Sequence, residues 1–162
     1  LKHAELALEP LFWSIEDGGV QSILSDGSPF LEEYPTENPT HVLNGFLYAM
    51  IGLHEYIDET RSERHQHLYN QLIRAVCGNI DKWRHGRWSL YEDPEKAEGL
   101  NFCTPSYHNL QITQLKWLNR VSPNDNLDEV IAQWEEGRDS CSDRMFAFFG
   151  KVWFRSVHKA MR

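Results

Sequence analysis

The sequence predicts a mainly α fold, an α/α hairpin array (part of an α/α toroid) with small β hairpins at one rim. Two observations carry that reading. Apolar residues recur at helical spacing over six segments, and two short turn-rich segments stand between them. The resulting order is helix, hairpin, helix, helix, short hairpin, helix, helix, helix. No internal repeat or low-complexity stretch competes with it.

Residues 2–16 carry Leu6, Leu8, Leu11, Phe12 and Ile15 at roughly helical spacing, with Pro10 implying a kink or break and Gly18-Gly19 an end. Two apolar runs flank Ser25-Asp26-Gly27-Ser28-Pro29, which is a hairpin signal. Residues 41–58 are apolar on most faces, so that helix is expected to be buried inside a larger helical assembly. Residues 62–83 are amphipathic, with Ser62 as the expected N-cap. Gly86 and the alternation of Trp88 and Leu90 mark a small hairpin over 84–91, followed by a polar loop over 92–103. Thr104-Pro105 opens a helix at about 105–120. Two more helices are expected over 123–137 and about 140–160, the last with Met145, Phe146, Phe149, Val152, Trp153 and Val157.

The chain has 162 residues, and its 16 Lys+Arg against 24 Asp+Glu give a net charge of −8. With 41% hydrophobic and 12% aromatic residues it can build a core, which excludes a disordered chain. The acidic balance argues against a nucleic-acid partner. No run reaches the ~18–20 apolar residues that a membrane helix needs, so no membrane partner is expected. Cys77, Cys103 and Cys141 form no CxxC pair, and Asn38-Pro39-Thr40 is blocked as a glycosylation acceptor. With no signal-peptide pattern at the start, these observations lean toward a reducing, cytoplasmic compartment. The chain begins at Leu1 inside a helical pattern. Residues 1–162 are therefore expected to be a single helical domain, the C-terminal portion of a longer protein. Its apolar faces would be covered either by that longer chain or by a second copy in a homodimer.

Standard catalytic motifs are missing: there is no Gly-rich phosphate loop, no HExxH and no GxSxG. His65 and His67 lie two apart on a helix and point away from one another, so both are expected on the solvated surface, and no metal site is read. Three tyrosines stand at turns rather than inside helices. Tyr34 ends the first hairpin after Glu32-Glu33, Tyr91 ends the second, and Tyr107, followed by His108, lies in the first turn after Pro105. Tyr48, Tyr56 and Tyr69 fall within helices and are read as packing residues.

The stretch Leu31-Glu32-Glu33-Tyr34-Pro35-Thr36, then Val42-Leu43-Asn44-Gly45-Phe46 and Ile51-Gly52-Leu53, closely resembles the signature of the C-terminal helical domain of the D-glucuronyl C5-epimerase family. The resemblance continues in order through Gly19-Val20, Leu90-Tyr91, Tyr107-His108 and Gln114-Leu115, over about residues 1–135. It implies inversion of D-glucuronate to L-iduronate within an acidic polysaccharide such as a heparan sulfate-like glycan. A proton leaves C5, alpha to the carboxylate, and one returns on the opposite face. That chemistry needs an acid/base group on each face and a group that neutralises the carboxylate. Tyrosine, with an ordinary pKa of about 10, serves when cationic neighbours favour its anion. No metal or nucleotide cofactor is implied.

By this resemblance the catalytic groups are Tyr34, Tyr91 and Tyr107, expected to converge on one cleft. Glu33, Asn44, Arg84, Arg87 and His108 are the implied substrate-binding residues. Two family features differ here. Pro94, in Tyr91-Glu92-Asp93-Pro94-Glu95, stands where the family has an arginine, and Thr104-Pro105-Ser106 stands where it has Arg-Trp-Asp. Arg84, His85 and Arg87 are the nearby cationic replacements. A polysaccharide lyase, which abstracts the same proton and then eliminates, and a non-catalytic glycan-binding domain remain open as alternatives.

Overall fold

The computed structural model describes residues 2–160 and is mainly α, with two small antiparallel hairpins. In chain order the elements are α1 (Lys2–Leu8), β1 (Gln21–Ile23), β2 (Pro29–Leu31), α2 (Leu43–Thr60) and α3 (Glu63–Asn79). There follow β3 (Arg84–His85), β4 (Trp88–Ser89), α4 (Pro105–Val121), α5 (Asp125–Asp139) and α6 (Cys141–Ala160). Two compact units divide the chain, residues 1–79 and 80–162, and each contains a β hairpin and a helical hairpin.

In the first unit Pro10 breaks the opening segment outright. The α1 helix stops at Leu8 and continues only as a 3-10 turn over Glu9–Phe12. Gly18, at φ +84°, closes the next short turn in the left-handed conformation that favours glycine. Gln21 pairs with Leu31 and Ile23 with Pro29. The connection bends at Asp26-Gly27, where Gly27 has φ +85° and its N–H donates to the Leu24 carbonyl. The Asp26 carboxylate accepts from the Ser28 N–H and from Asn79 Nδ2, and these bonds, that of Asn79 foremost, hold its pKa below the ordinary value.

β2 packs on α2 and α3, with the Phe30 and Phe46 rings stacked 4.2 Å apart. The α2 helix buries one stripe: Leu43, Phe46, Leu47, Met50, Leu53 and Ile57. Within this chain Tyr48, Gly52, Glu55 and Asp58 of the same helix face solvent. The surface placement of His65 is corrected. Its ring is buried against Phe12 and Tyr56, and Nδ1 lies 2.7 Å from the Ser62 hydroxyl. Burial pushes its pKa down. His67 is exposed, as expected.

The second unit is organised around tryptophans. Trp83, Trp88 and Trp134 are all fully buried. The β3–β4 hairpin turns at Gly86, at φ +57°, and packs on α5. Gly137 of α5 permits that contact, since a Cβ there would lie 2.0 Å from the Arg87 carbonyl oxygen. Thr104 caps α4, its hydroxyl accepting from the Tyr107 N–H, and Asn124 caps α5. The α6 helix rests Ala147 and Gly150 on Phe102, while Met145, Phe146, Phe148, Phe149, Val152 and Trp153 are exposed. No helix among the described residues is long and apolar enough to cross a membrane.

Candidate active site

The Tyr34 motif is built as a loop whose two ends are tied together. Glu32 is buried, and its carboxylate accepts from the Ser22 hydroxyl and from the His41 backbone N–H at 3.2 Å. The buried His41 ring lies 3.3 Å from the same carboxylate, and His41 itself adopts φ +55°. With residues 32 and 41 joined, the segment between them is displayed at the surface, and Tyr34 is 55% exposed. The Thr36 N–H donates to the Tyr34 carbonyl, folding the chain tightly around Pro35.

Glu33 is oriented by the start of α2. Asn44 Nδ2 donates to its carboxylate at 3.2 Å. Gly45 leaves room for it, because a Cβ at 45 would fall 2.6 Å from the Glu33 Cβ. The Asn-Gly pair at the head of α2 thus serves the loop that precedes it. One residue supplies the bond and the other the space.

In the second unit, Tyr91 and Tyr107 meet edge to face with ring centroids 5.3 Å apart. Tyr91 leaves the hairpin through Leu90, which bridges to Phe102, and its N–H donates to the Asn101 carbonyl at 2.8 Å. Tyr107 lies in the first turn of α4 and is 40% exposed. Hairpin and helix cap together therefore hold two phenol rings on one face.

His108, the residue after Tyr107, is fully buried. Its Nδ1 accepts from the Ser89 N–H at 3.2 Å and lies 2.8 Å from the Ser89 hydroxyl, and Nε2 donates to the Trp134 carbonyl at 3.0 Å. The ring stacks on Trp88 at 4.0 Å. Burial lowers its pKa to about 4, so it is neutral with one fixed tautomer at ordinary pH. Its position knits β4, α4 and α5 together.

Arg84 and Arg87 are engaged by acidic and amide neighbours. Arg84 pairs with Asp81 at 2.7 Å and bonds Gln133 at 2.6 Å, while Arg87 pairs with Asp143 at 2.8 Å and Glu136 at 3.5 Å. The structure brings together Tyr91 and Tyr107 in one unit, and Glu33, Tyr34 and Asn44 in the other.

Sequence reasoning passed over Lys151. Its ammonium lies 5.4 Å from the centroid of the Tyr91 ring and donates to Asn101 Oδ1, and burial lowers its pKa. The available signal was a cation set between Phe149 and Trp153, in the aromatic-rich middle of an amphipathic helix. Cys103, also in this region, is buried, with its thiol pushed up to about 12 by burial, so it is neither a thiolate nor a nucleophile.

Fold and site together define a domain of helical hairpins that presents tyrosines at its turns. The family model described as D-glucuronyl C5-epimerase C-terminus matches residues 1–136, and the chain belongs to this family, as a C5-epimerase-like domain. A D-glucuronyl C5-epimerase of Caenorhabditis elegans is 30% identical over 148 residues, covering 83% of this chain and 24% of that protein. An uncharacterized protein of Methanocaldococcus jannaschii is 26% identical over 139 residues, covering 84% of this chain and 44% of the relative. The chain thus spans less than half the length of either. The matched segment ends before α6 begins.

Proposed function

We propose that this domain, within the longer protein it matches in part, epimerises C5 of hexuronate residues in an acidic polysaccharide, with the tyrosines of its three motifs, Tyr34, Tyr91 and Tyr107, as its acid/base groups. The observation that supports this most is the 5.3 Å edge-to-face pairing of two motif tyrosines on a partly exposed face. One phenolate removes the C5 proton, and the electron pair left behind delocalises into the carboxylate as an enediolate. An acid on the opposite face of the sugar ring then delivers a proton to C5. No other bond breaks, and the base and the acid exchange protonation states and reset through solvent. Tyr34, in the first unit, is assigned an acid/base role by its motif and its exposure, with Glu33 and Asn44 as the residues that shape its loop. His108 acts in this reading as a positioning residue, since both ring nitrogens are engaged inside the fold. In the longer protein the helical hairpins would form part of an α/α toroid.

The test is incubation with a glucuronate polymer in deuterated water. Deuterium at C5 without chain cleavage supports epimerisation. A new absorbance from an unsaturated uronate would instead mark a lyase. Binding with neither outcome would mark a non-catalytic glycan-binding domain.

A further inference from the structure

We infer that Lys151 of α6 is the cation that receives the substrate carboxylate at the Tyr91–Tyr107 face, so that a helix beyond the family-matched segment completes the site. The inference rests on the reading of that face as a uronate site. It begins from a charge problem. A carboxylate that accepts the C5 electron pair needs a positive partner, and the chain as a whole carries −8. The segment that ends the second hairpin, Tyr91-Glu92-Asp93-Pro94-Glu95, contains no cation. Arg84 and Arg87 are each paired with acidic neighbours.

Lys151 meets the requirement by position. Gly150 seats α6 directly on Phe102, where a Cβ would approach the ring to 2.5 Å, and so fixes the height of the next residue along the helix. Lys151 then reaches Asn101 Oδ1 and the region of the Tyr91 ring. Asn101 is a buried junction: its carbonyl accepts from Tyr91 N, its Nδ2 donates to Glu92, and its Oδ1 accepts from Lys151. One amide therefore sets the tyrosine backbone and the ammonium in register. Lys151 is half-buried, which strengthens an ion pair relative to open solvent. Among the described ion pairs it makes no direct salt bridge, whereas Lys82 and Lys116 do; the Glu92 carboxylate, held on the same Asn101 amide, acts on it from farther away. An ammonium has three donors, so two remain for a ligand oxygen after the bond to Asn101.

The experiment measures binding of a glucuronate-containing oligosaccharide to the full chain and to K151M and K151R, with a carboxyl-reduced oligosaccharide as the neutral control. C5 deuterium exchange is recorded in parallel for these proteins and for Y107F. K151M keeps the length and apolar stem of the side chain, and K151R keeps the charge. The expected result is a roughly ten- to hundredfold loss of uronate affinity in K151M, with partial rescue in K151R and no change toward the reduced control. Unchanged uronate affinity in folded K151M overturns the inference. An equal loss toward both oligosaccharides also overturns it, since that reports only a structural role. The epimerase reading fails separately, by the absence of C5 exchange when the unaltered domain is assayed within the longer protein, and leaves the binding comparison to decide on Lys151.

Discussion

Ser89 and His108 are joined twice, the backbone N–H and the hydroxyl of one residue both meeting Nδ1 of the other. This pair ties β4 to α4 and makes that part of the molecule sensitive to acid. The His108 pKa is lowered in the fold to about 4, from an ordinary value of about 6.5. Between those values the unfolded chain binds the extra proton and the folded chain does not. Stability from this group is therefore complete above about pH 6.5 and is lost as pH falls toward 4, by roughly 3 kcal/mol in all. Denaturant titrations of the unaltered chain and H108Q at pH 7 and pH 4.5 check this. The unaltered chain should lose more stability on acidification than the variant.

A side chain at Gly137 would collide with the backbone of the hairpin, 2.0 Å from the Arg87 oxygen. A carbonyl oxygen cannot swing aside as a side-chain end can. G137A should therefore destabilise the protein by about 1–3 kcal/mol despite the better helix propensity of alanine. Thermal unfolding checks it, and a midpoint equal to or above that of the parent contradicts the packing described.

Gly45 stands under Glu33 for a related reason, but here the obstruction is the side chain's own base. A Cβ at 45 would lie 2.6 Å from Glu33 Cβ. G45A is expected to cost about 1–2 kcal/mol and to displace the Tyr34 loop. Adding E33G removes the obstruction, so the double variant should recover most of that stability, whereas E33A, which keeps the Cβ, should not.

Helix positions were legible in the sequence because core packing repeats with the helical period, and α4, α5 and α6 form within a few residues of the expected bounds. Pro10 and the Asp26-Gly27 turn were legible because they act on the backbone locally. What could not be read was burial decided by distant partners. His65 looks like a surface residue among polar neighbours, yet Phe12, from a segment far back in the chain, covers it. The α2 helix reads as apolar on most faces, and within this chain one stripe of it is packed. In the candidate site, Tyr91 and Tyr107 were recoverable from motif and turn position. Lys151 was not, because nothing local relates a lysine on α6 to Asn101, fifty residues earlier.

Tyr34 offers a separable test of its assigned role. Tyr34 is 55% exposed, so Y34F removes one hydroxyl and should leave thermal stability within about 0.5 kcal/mol. Loss of C5 exchange in Y34F at unchanged stability supports its catalytic assignment, and full exchange removes Tyr34 from the mechanism.

The central claim is that the paired phenols move the C5 proton. It is tested most directly by the rate of deuterium incorporation at C5 of a glucuronate polymer, compared among the unaltered protein, Y91F and Y107F. Each variant keeps its ring, and so the edge-to-face packing. The account predicts a fall of about 10²–10⁴-fold in each, with folding intact. Incorporation at the parent rate in either variant would contradict it.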